Sequence, residues 1–329
     1  MDWSLIFSQS FLISMLTTGV ILGIPVLIAV LGEIITESSG TINLGLEGIM
    51  AMGAATGFMT TFFLQQPGGP LASASPWLGL LVGALAGMLM GALMGFLTIT
   101  LHADQVISGI TLVVFGLGLS NYLYRQAFTT LSEPLKGFKP VDFGFLSQIP
   151  ILGPLFFKFD ATVYLAFFLV VAVWYFLFKT TWGQKIRAVG ENPAAAETSG
   201  INVSLTRYAA LLIGTGLVGL AGAVLTVAQL GLFVENVTAG KGWIAVALVI
   251  FARWRSPKLA LIGSLLFGLA DSIQYRIQAL SQGKSSQTLP YEFLLMLPYV
   301  LTILVLLYRS KQVEQPAALG RAYDRSARD

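Results

Sequence analysis

Long apolar runs separated by short polar stretches dominate the chain. A hydrocarbon core about 30 Å thick requires roughly 20 apolar residues per helix, and most of the runs approach that length. Uninterrupted runs favour helices over the alternating strands of a barrel. The pattern predicts an all-α, polytopic membrane protein with about eight or nine crossings, some broken or short, at Phe11 to Leu31, Leu46 to Leu64, Trp77 to Leu101, Val106 to Tyr124, Ala161 to Phe178, Tyr208 to Leu230, Trp243 to Ala252, Leu259 to Tyr275 and Tyr291 to Tyr308.

Two stretches depart from this pattern. The apolar segment Trp243 to Ala252 is too short to cross alone, which predicts a tilted, broken or re-entrant helix buried in protein. The connection from Arg125 to Asp160 carries four prolines and scattered charges, so we expect a loop outside the membrane. The first apolar stretch lacks a basic flank and is too long for a signal peptide, so we interpret it as the first span.

The composition supports the membrane assignment. The 329 residues are 55% hydrophobic and 11% charged, with a mean hydropathy of +0.78, whereas soluble domains carry about a quarter charged residues. A net charge of +3 is too small to indicate nucleic-acid binding. Cysteine is absent from the chain, so disulfides give no information about the compartment.

Basic residues indicate how the chain is oriented. They fall into three groups, which are Lys179, Lys185, Arg187 and Arg207, then Arg253, Arg255 and Lys258, then Arg309 and Lys311. One parity of crossings places all three groups in the cytoplasm. No Lys or Arg precedes Arg125, so this rule leaves the side of the N-terminus open.

The stretch "GENPAAAETSG", residues 190 to 200, lies within the first basic group. Asn192 suits a helix N-cap, Pro193 suits the first helical position, and Gly200 is a natural stop, which together predict about two helical turns. Three alanines leave a smooth surface that suits docking in a partner's groove. The alternative is an ordinary capped turn that joins two spans.

The longer segment "RAVGENPAAAETSGINV" (187 to 203) resembles the cytoplasmic coupling loop of permease subunits in bacterial ATP-binding-cassette (ABC) importers for branched-chain amino acids, sugars and nucleosides. Further segments resemble that family in order, especially its nucleoside branch associated with basic membrane protein type binding proteins. They are "ESSGTINLGLEGIMAMGAATGF" (37 to 58), "ADQVISGITL" (103 to 112) and "GKGWIAVALVIFARWRSP" (240 to 257). Ala252 departs from the family pattern, in which we expect glycine at that place.

The resemblance implies a permease domain over residues 1 to 312 with a cytoplasmic coupling loop at 182 to 206, and we expect a disordered cytoplasmic tail over 313 to 329. It implies a cytoplasmic ABC ATPase, a paralogous permease in a heterodimer, and an extracytoplasmic substrate-binding protein as partners, in the lipid of the bacterial inner membrane. No cofactor or metal is expected. The ATPase-coupling residues implied are Gly190, Glu191, Asn192, Pro193, Ala194, Ala195, Ala196 and Gly200.

Polar residues within the apolar runs are candidates for the pore or gate. Glu47 lies near the start of the second span with Asn43 one turn earlier, and an ionisable group at membrane depth indicates function by default. Alternatively, the dipole at a helix N-terminus stabilises this carboxylate close to water. Asp271 has Arg276 nearby as a partner for a structural pair, and Asn121 is a weaker candidate because one amide often only joins helices.

Glycines recur at spacing four in the third span and form a ridge without side chains. Each step of four residues turns a helix by about 400°, so the ridge drifts by about 40° per step. The drift favours a right-handed crossing, or contact with two neighbouring helices in succession. Packing alone explains this ridge, whose members are Gly79, Gly83, Gly87, Gly91 and Gly95.

Enzymatic functions lack the necessary residues. His102 is the single histidine and falls at a predicted helix end, so metal sites of several histidines and a histidine-bearing catalytic triad lack parts. "QGKSS" (282 to 286) resembles the end of a phosphate loop, but Gln278 stands at the required glycine. We therefore predict an importer permease that works by alternating access, driven by a separate ATPase, for nucleosides. Sugar or branched-chain amino acid permeases remain alternatives, as does a secondary transporter or channel.

Overall fold

The computed structural model describes residues 9–66, 69–128, 133–281, 296, 300, 303, 307 and 315–323. These residues form helices joined by loops, with a single isolated β-bridge between Pro140 and Asp160. The helices are α1 Gln9–Ser38, α2 Leu46–Leu64, α3 Ser75–Gly95, α4 Gln105–Ala127, α5 Leu152–Phe156, α6 Ala161–Lys179, α7 Thr181–Glu191, α8 Pro193–Thr198, α9 Val203–Ala223, α10 Lys241–Phe251 and α11 Pro257–Ser281. Helices α3 and α9 continue as π-helical turns over Phe96–Thr100 and Val224–Leu230.

Five helical segments are long and apolar enough to cross a membrane. They are Phe11–Ser38, Ser75–Thr100, Gln105–Ala127, Ala161–Lys179 and Val203–Leu230. The all-α membrane class is therefore confirmed, while the count of eight or nine crossings stays a prediction. The candidate span at 291–308 lies outside the described residues apart from four single positions.

Helix α1 forms the centre of the bundle. Its residues from 23 to 38 are buried, and it packs against α9, α11 and α10. Helix α9 in turn packs against α2 and α3. The core is therefore built from helices that are far apart in sequence.

The glycine ridge of α3 contacts two neighbours in succession, as predicted. A Cβ added at Gly79 would lie 2.0 Å from Oγ1 of Thr61 on α2, whereas one added at Gly87 would lie 2.3 Å from the carbonyl oxygen of Thr215 on α9. Such distances leave no room for a side chain. The ridge thus lets three helices approach closely, which is a packing role.

The ends of several helices meet at one end of the bundle, which we call the basic end. The hydroxyl of Ser38, the last residue of α1, donates a hydrogen bond to the carbonyl oxygen of Trp254 over 3.2 Å. Gly190 packs against Ser38, and Arg255 pairs with Glu191. The third basic group, residues 309 and 311, lies outside the described residues. Since α1 is 30 residues long, its first residue lies about 45 Å away, at the opposite end.

The turn between α10 and α11 accommodates Ala252 without difficulty. Ala252 has φ −74° and is fully buried, so its backbone does not require the glycine expected there. The left-handed conformation falls instead on Arg253 and Trp254, at φ 55° and 56°. The turn is tight, and its strain is carried by residues after the alanine.

The described part of the C-terminal tail is folded, whereas the sequence predicted disorder. Residues 315–323 form two successive turns, in which Leu319 N–H donates to Pro316 O and Arg321 N–H donates to Ala318 O. Ala318 is buried, and Gly320 has φ +77°. Backbone hydrogen bonds to Gly190 and Gly40 hold this segment against the bundle, and Leu319 packs against the main core.

Candidate functional site

The predicted short helix at the basic end is present as α8. The Asn192 side chain accepts a hydrogen bond from Ala195 N–H over 3.0 Å, and Pro193 is the first helical residue. Gly200 follows the helix at φ +85° and donates to Glu197 O. The N-cap, the proline and the glycine stop therefore act as the sequence predicted.

Helix α8 presents most of its surface outward. Ala194 and Ala195 are exposed, while Ala196 faces inward and is 4% exposed. Just before the helix, Gly190 lies so close to the end of α1 that a Cβ would be 2.1 Å from Ser38 O. Glu191 forms an exposed ion pair with Arg255. The residues of the predicted coupling surface are thus together at one end, part exposed and part anchored.

A second polar site surrounds the N-terminus of α10. The Glu47 carboxylate accepts hydrogen bonds from the Thr238 hydroxyl at 2.5 Å, from Gly240 N–H at 2.8 Å and from Gly242 N–H at 2.7 Å. Glu47 is only 5% exposed. The sequence raised the possibility of a wetted carboxylate at the start of its own helix, but Glu47 instead caps a different helix inside the protein.

The chain re-enters the protein to reach this cap. Gly231 O accepts a hydrogen bond from Leu135 N–H in the loop at the end opposite the basic end. Glu235 in the same connection pairs with Arg125 over 2.7 Å, and this hydrogen bond lowers the pKa of Glu235. From Gly240 onward, α10 runs towards the basic end. The segment is the short, broken element that the sequence predicted.

Asp271 also lies at the N-terminus of α10. Its carboxylate pairs with the Lys241 ammonium at 3.4 Å, and both side chains are mostly buried. The prediction that Arg276 pairs with Asp271 is wrong, because Arg276 donates a hydrogen bond to Ser14 Oγ over 2.5 Å instead. Five residues turn a helix by about 140° beyond one full turn, so Asp271 and Arg276 point to different faces.

Asn43 lies just before α2 and Glu47 lies in its first turn, but their side chains are not hydrogen-bonded to each other. Its amide nitrogen donates to Glu33 Oε2 over 3.3 Å, and its amide oxygen accepts from Gly45 N–H. Glu33 is fully buried, and its Oε1 has no hydrogen-bond partner among the described residues. Glu37, one turn further along α1, accepts from the Trp254 indole.

Glu33 and Glu37 were not among the site residues that the sequence predicted. The available signal was two carboxylates four residues apart at the end of an apolar run, because that spacing places both on one helix face. Asn121 lies apart from this group. It is 16 residues beyond Gln105, whose side chain contacts Ile42 N–H, and so lies about 24 Å further along α4. Its Oδ1 is buried without a partner among the described residues.

Acidic side chains of the two sites are engaged in hydrogen bonds and ion pairs. Within the described ranges, no three His, Cys, Asp or Glu side chains come together in a way that could hold a metal ion. The carboxylates of Glu47 and Asp271 are engaged by backbone N–H groups and by Lys241. The arrangement therefore fixes helices against one another at the α10 N-terminus and leaves an exposed surface at α8.

Comparison with known families gives a match over most of the chain. The family model described as "Branched-chain amino acid transport system / permease component" matches residues 15–306. No solved structure matches the chain.

Several curated proteins are similar over nearly their whole length. "Putative glucose ABC transporter permease protein TsgC13" of Haloferax volcanii is 38% identical, over 96% of this chain and 99% of that protein. "Nucleoside ABC transporter permease protein NupC" of Lactococcus lactis subsp. cremoris is 37% identical, over 92% and 94%. "Guanosine ABC transporter permease protein NupQ" of Bacillus subtilis is 35% identical, over 92% and 94%.

Proposed function

The chain belongs to the family of permease components of the branched-chain amino acid transport system type, and from this premise we propose that it imports nucleosides together with partner chains. It is an ABC importer permease subunit and a multi-pass protein of the inner membrane, and it is not itself an enzyme. The proposal has three parts, which are the nucleoside substrate, the contact with an ATPase and the pairing with a second permease.

One observation carries the coupling part of the proposal. Helix α8 is capped at both ends, exposed along Ala194 and Ala195, and situated among basic residues that the positive-inside rule assigns to the cytoplasm. A short helix held from behind by Gly190 can be pushed as a unit. We therefore assign the ATPase contact to Gly190–Ala196 and Gly200, within the coupling loop at 182–206.

The mechanism is alternating access. Nucleotide binding closes two ATPase subunits, α8 transmits that motion, and the permease opens towards one side of the membrane. An extracytoplasmic binding protein delivers the substrate to the opposite end. A second permease would face the apolar stripe of α3, where exposed Leu81, Leu85 and Leu89 lie away from the glycine ridge, and lipid would cover the remaining apolar surface.

The α10 N-terminus supports an uncharged substrate. An amino acid requires a partner for its carboxylate, and a buried helix N-terminus is a favourable place for one. In this protein Glu47 already occupies that position. Nucleosides and sugars carry no such charge, so the geometry favours both over amino acids.

Two further observations favour nucleosides over sugars. NupC and NupQ carry nucleoside and guanosine in their names, although the relative TsgC13 is named for glucose. The chain also has 22 Phe, 10 Tyr and 6 Trp, and aromatic rings can stack on a flat base. A glucose importer is the second candidate because of the TsgC13 match.

Uptake of labelled substrates tests this assignment. Cells with and without the gene are given uridine, guanosine, glucose, ribose and leucine in separate assays. We expect uridine or guanosine uptake to fall in the deletion strain and to return on complementation. A loss confined to glucose, ribose or leucine would overturn the nucleoside assignment and leave the permease assignment standing.

A further inference from the structure

Residues 315–323, which we call the C-terminal strap, cross the basic end and bond to five separate parts of the bundle. Ala318 N–H donates to Gly190 O over 2.9 Å, and Gly320 N–H donates to Gly40 O over 3.0 Å. The strap also receives hydrogen bonds from side chains of the bundle. They are Arg207 Nη1 to Arg321 O at 3.0 Å, and a contact of 3.1 Å between His102 Nε2 and Tyr323 O.

The strap reaches the coupling helix through Tyr323. The tyrosine hydroxyl donates to Glu197 Oε2 on α8 over 2.5 Å. Its ring joins a small apolar cluster, separate from the main core, that contains Val189, Ala196 and Val203. Since α8 is six residues long and buries only Ala196, its position depends on this cluster rather than on intrinsic helix stability.

The other half of the strap meets the loop between α1 and α2. Gly40 in that loop has φ +86°, and a Cβ there would lie 3.2 Å from both Ala318 O and Arg207 Nη2. Arg207 is 3% exposed. Among the described residues it donates one hydrogen bond, from its Nη1 to Arg321 O of the strap. The same loop contains Asn43 and leads into α2, where Glu47 lies in the first turn. The strap therefore connects α8 with the loop that leads to the α10 cap.

We propose that the C-terminal strap positions the coupling helix and carries its movement to the α1–α2 loop. The inference rests on the proposed function, because it requires that an ATPase pushes α8. The strap supplies what α8 lacks, namely a hydrogen bond and an aromatic contact on its inner side. Without it, ATP hydrolysis continues but less of its energy reaches the permease.

Two truncations test the strap in the reconstituted transporter with its ATPase. One ends at residue 314 and removes the strap, while the control ends at Tyr323 and removes only the last six residues. We expect the first to lower substrate uptake per ATP hydrolysed by roughly two- to thirtyfold, the range that mutations along a coupling path produce. The control should match the full chain. Equal uptake per ATP in all three proteins would overturn the proposal.

A second measurement uses the permease alone and needs no ATPase. The chain has no native cysteine, so a spin label at Ala195→Cys reports only on α8. We expect the label to become more mobile in the shorter truncation, and also in Tyr323→Ala, while the thermal unfolding midpoint of Tyr323→Ala stays that of the parent. Unchanged label mobility would contradict the proposal that the strap positions α8.

The two measurements separate the possible failures. If the shorter truncation does not fold, Tyr323→Ala takes its place in both assays with the same expectations. If the label responds but an ATPase never contacts α8, then the proposed coupling function is wrong while the positioning role survives. If the ATPase contacts α8 and neither measurement responds, the strap proposal alone is wrong.

Discussion

Helices α8 and α10 are both short, yet their N-termini are capped in opposite ways. Helix α8 is capped by its neighbour Asn192, whereas α10 is capped by Glu47, which is 193 residues from Gly240 in the sequence. Helix α8 buries one residue and α10 buries six. A locally capped, exposed helix stays available to a partner, while a remotely capped, buried helix is fixed in the body of the permease.

Under the proposed coupling role, α8 would be the moving part of the chain and α10 the fixed part. Helix α8 makes few contacts with the bundle, so its displacement disturbs little of the core. Helix α10 is joined to α2 through Glu47 and to α11 through Asp271. Its displacement therefore requires two other helices to move with it.

The largest effect is expected from removing the remote cap. Glu47→Ala leaves the buried Gly242 N–H and the part-buried Gly240 N–H without an acceptor, which costs about 2–6 kcal/mol of the free energy of unfolding. Glu47→Gln keeps one acceptor oxygen and should lose less. Thermal unfolding in detergent measures both variants, and substrate uptake follows assembly.

The exposed carboxylate Glu235 provides the control for Glu47. Glu235→Gln weakens an ion pair in contact with water and should leave the unfolding midpoint nearly unchanged. If Glu47→Gln left assembly and uptake intact while Asn43→Ala abolished them, the Glu47 charge would be irrelevant. The Asn43–Glu33 hydrogen bond would then be the feature that fixes this region.

A glycine in the first turn of α10 tests the same junction by crowding. A Cβ at Gly242 would lie 2.5 Å from Glu47 N, so Gly242→Ala should cost about 3 kcal/mol, because a backbone atom cannot move away easily. Gly118→Ala on α4 is the matched control, since nothing lies within 4 Å of its added Cβ. A Gly242→Ala protein as stable as Gly118→Ala would contradict the close approach.

The ion pair beside the cap should matter less. Asp271→Asn removes the charge that faces Lys241 but keeps an oxygen that can accept its hydrogen bond. We expect a loss of about 2 kcal/mol, which is typical of hydrogen bonds to charged groups. Chemical denaturation of the parent and of the variant measures the difference, and Arg276→Gln serves for comparison. An Asp271→Asn protein as stable as the parent would contradict a stabilising pair between Asp271 and Lys241.

The smallest effect on stability is expected at α8. Asn192→Ala removes a local cap worth about 1 kcal/mol to the helix itself, and the global unfolding midpoint should stay close to that of the parent because α8 can fray alone. Coupling of ATP hydrolysis to uptake should fall nevertheless. A clear drop in the midpoint without loss of coupling would reverse the comparison between the two helices.

Features set by neighbouring residues could be predicted from the sequence, and features set by distant ones could not. The sequence predicted α2 at Leu46–Leu64 and the cap, first residue and stop of α8, because apolar length and cap residues act locally. It could not predict that Glu47 caps α10 or that Lys241 pairs with Asp271, since those contacts depend on helix packing. The folded strap was missed because backbone groups of Gly40 and Gly190 hold it.

The central claim is that α8 meets an ATPase at the cytoplasmic face, and a single cysteine tests it most directly. Ala195→Cys is the only thiol in the permease and can be cross-linked to cysteines placed on the ATPase, with Phe145→Cys, 80% exposed near the opposite end, as the control position. We predict cross-linking at Ala195→Cys but not at Phe145→Cys. Labelling of Ala195→Cys by an impermeant reagent added only from outside, with no cross-link to the ATPase, would contradict the account.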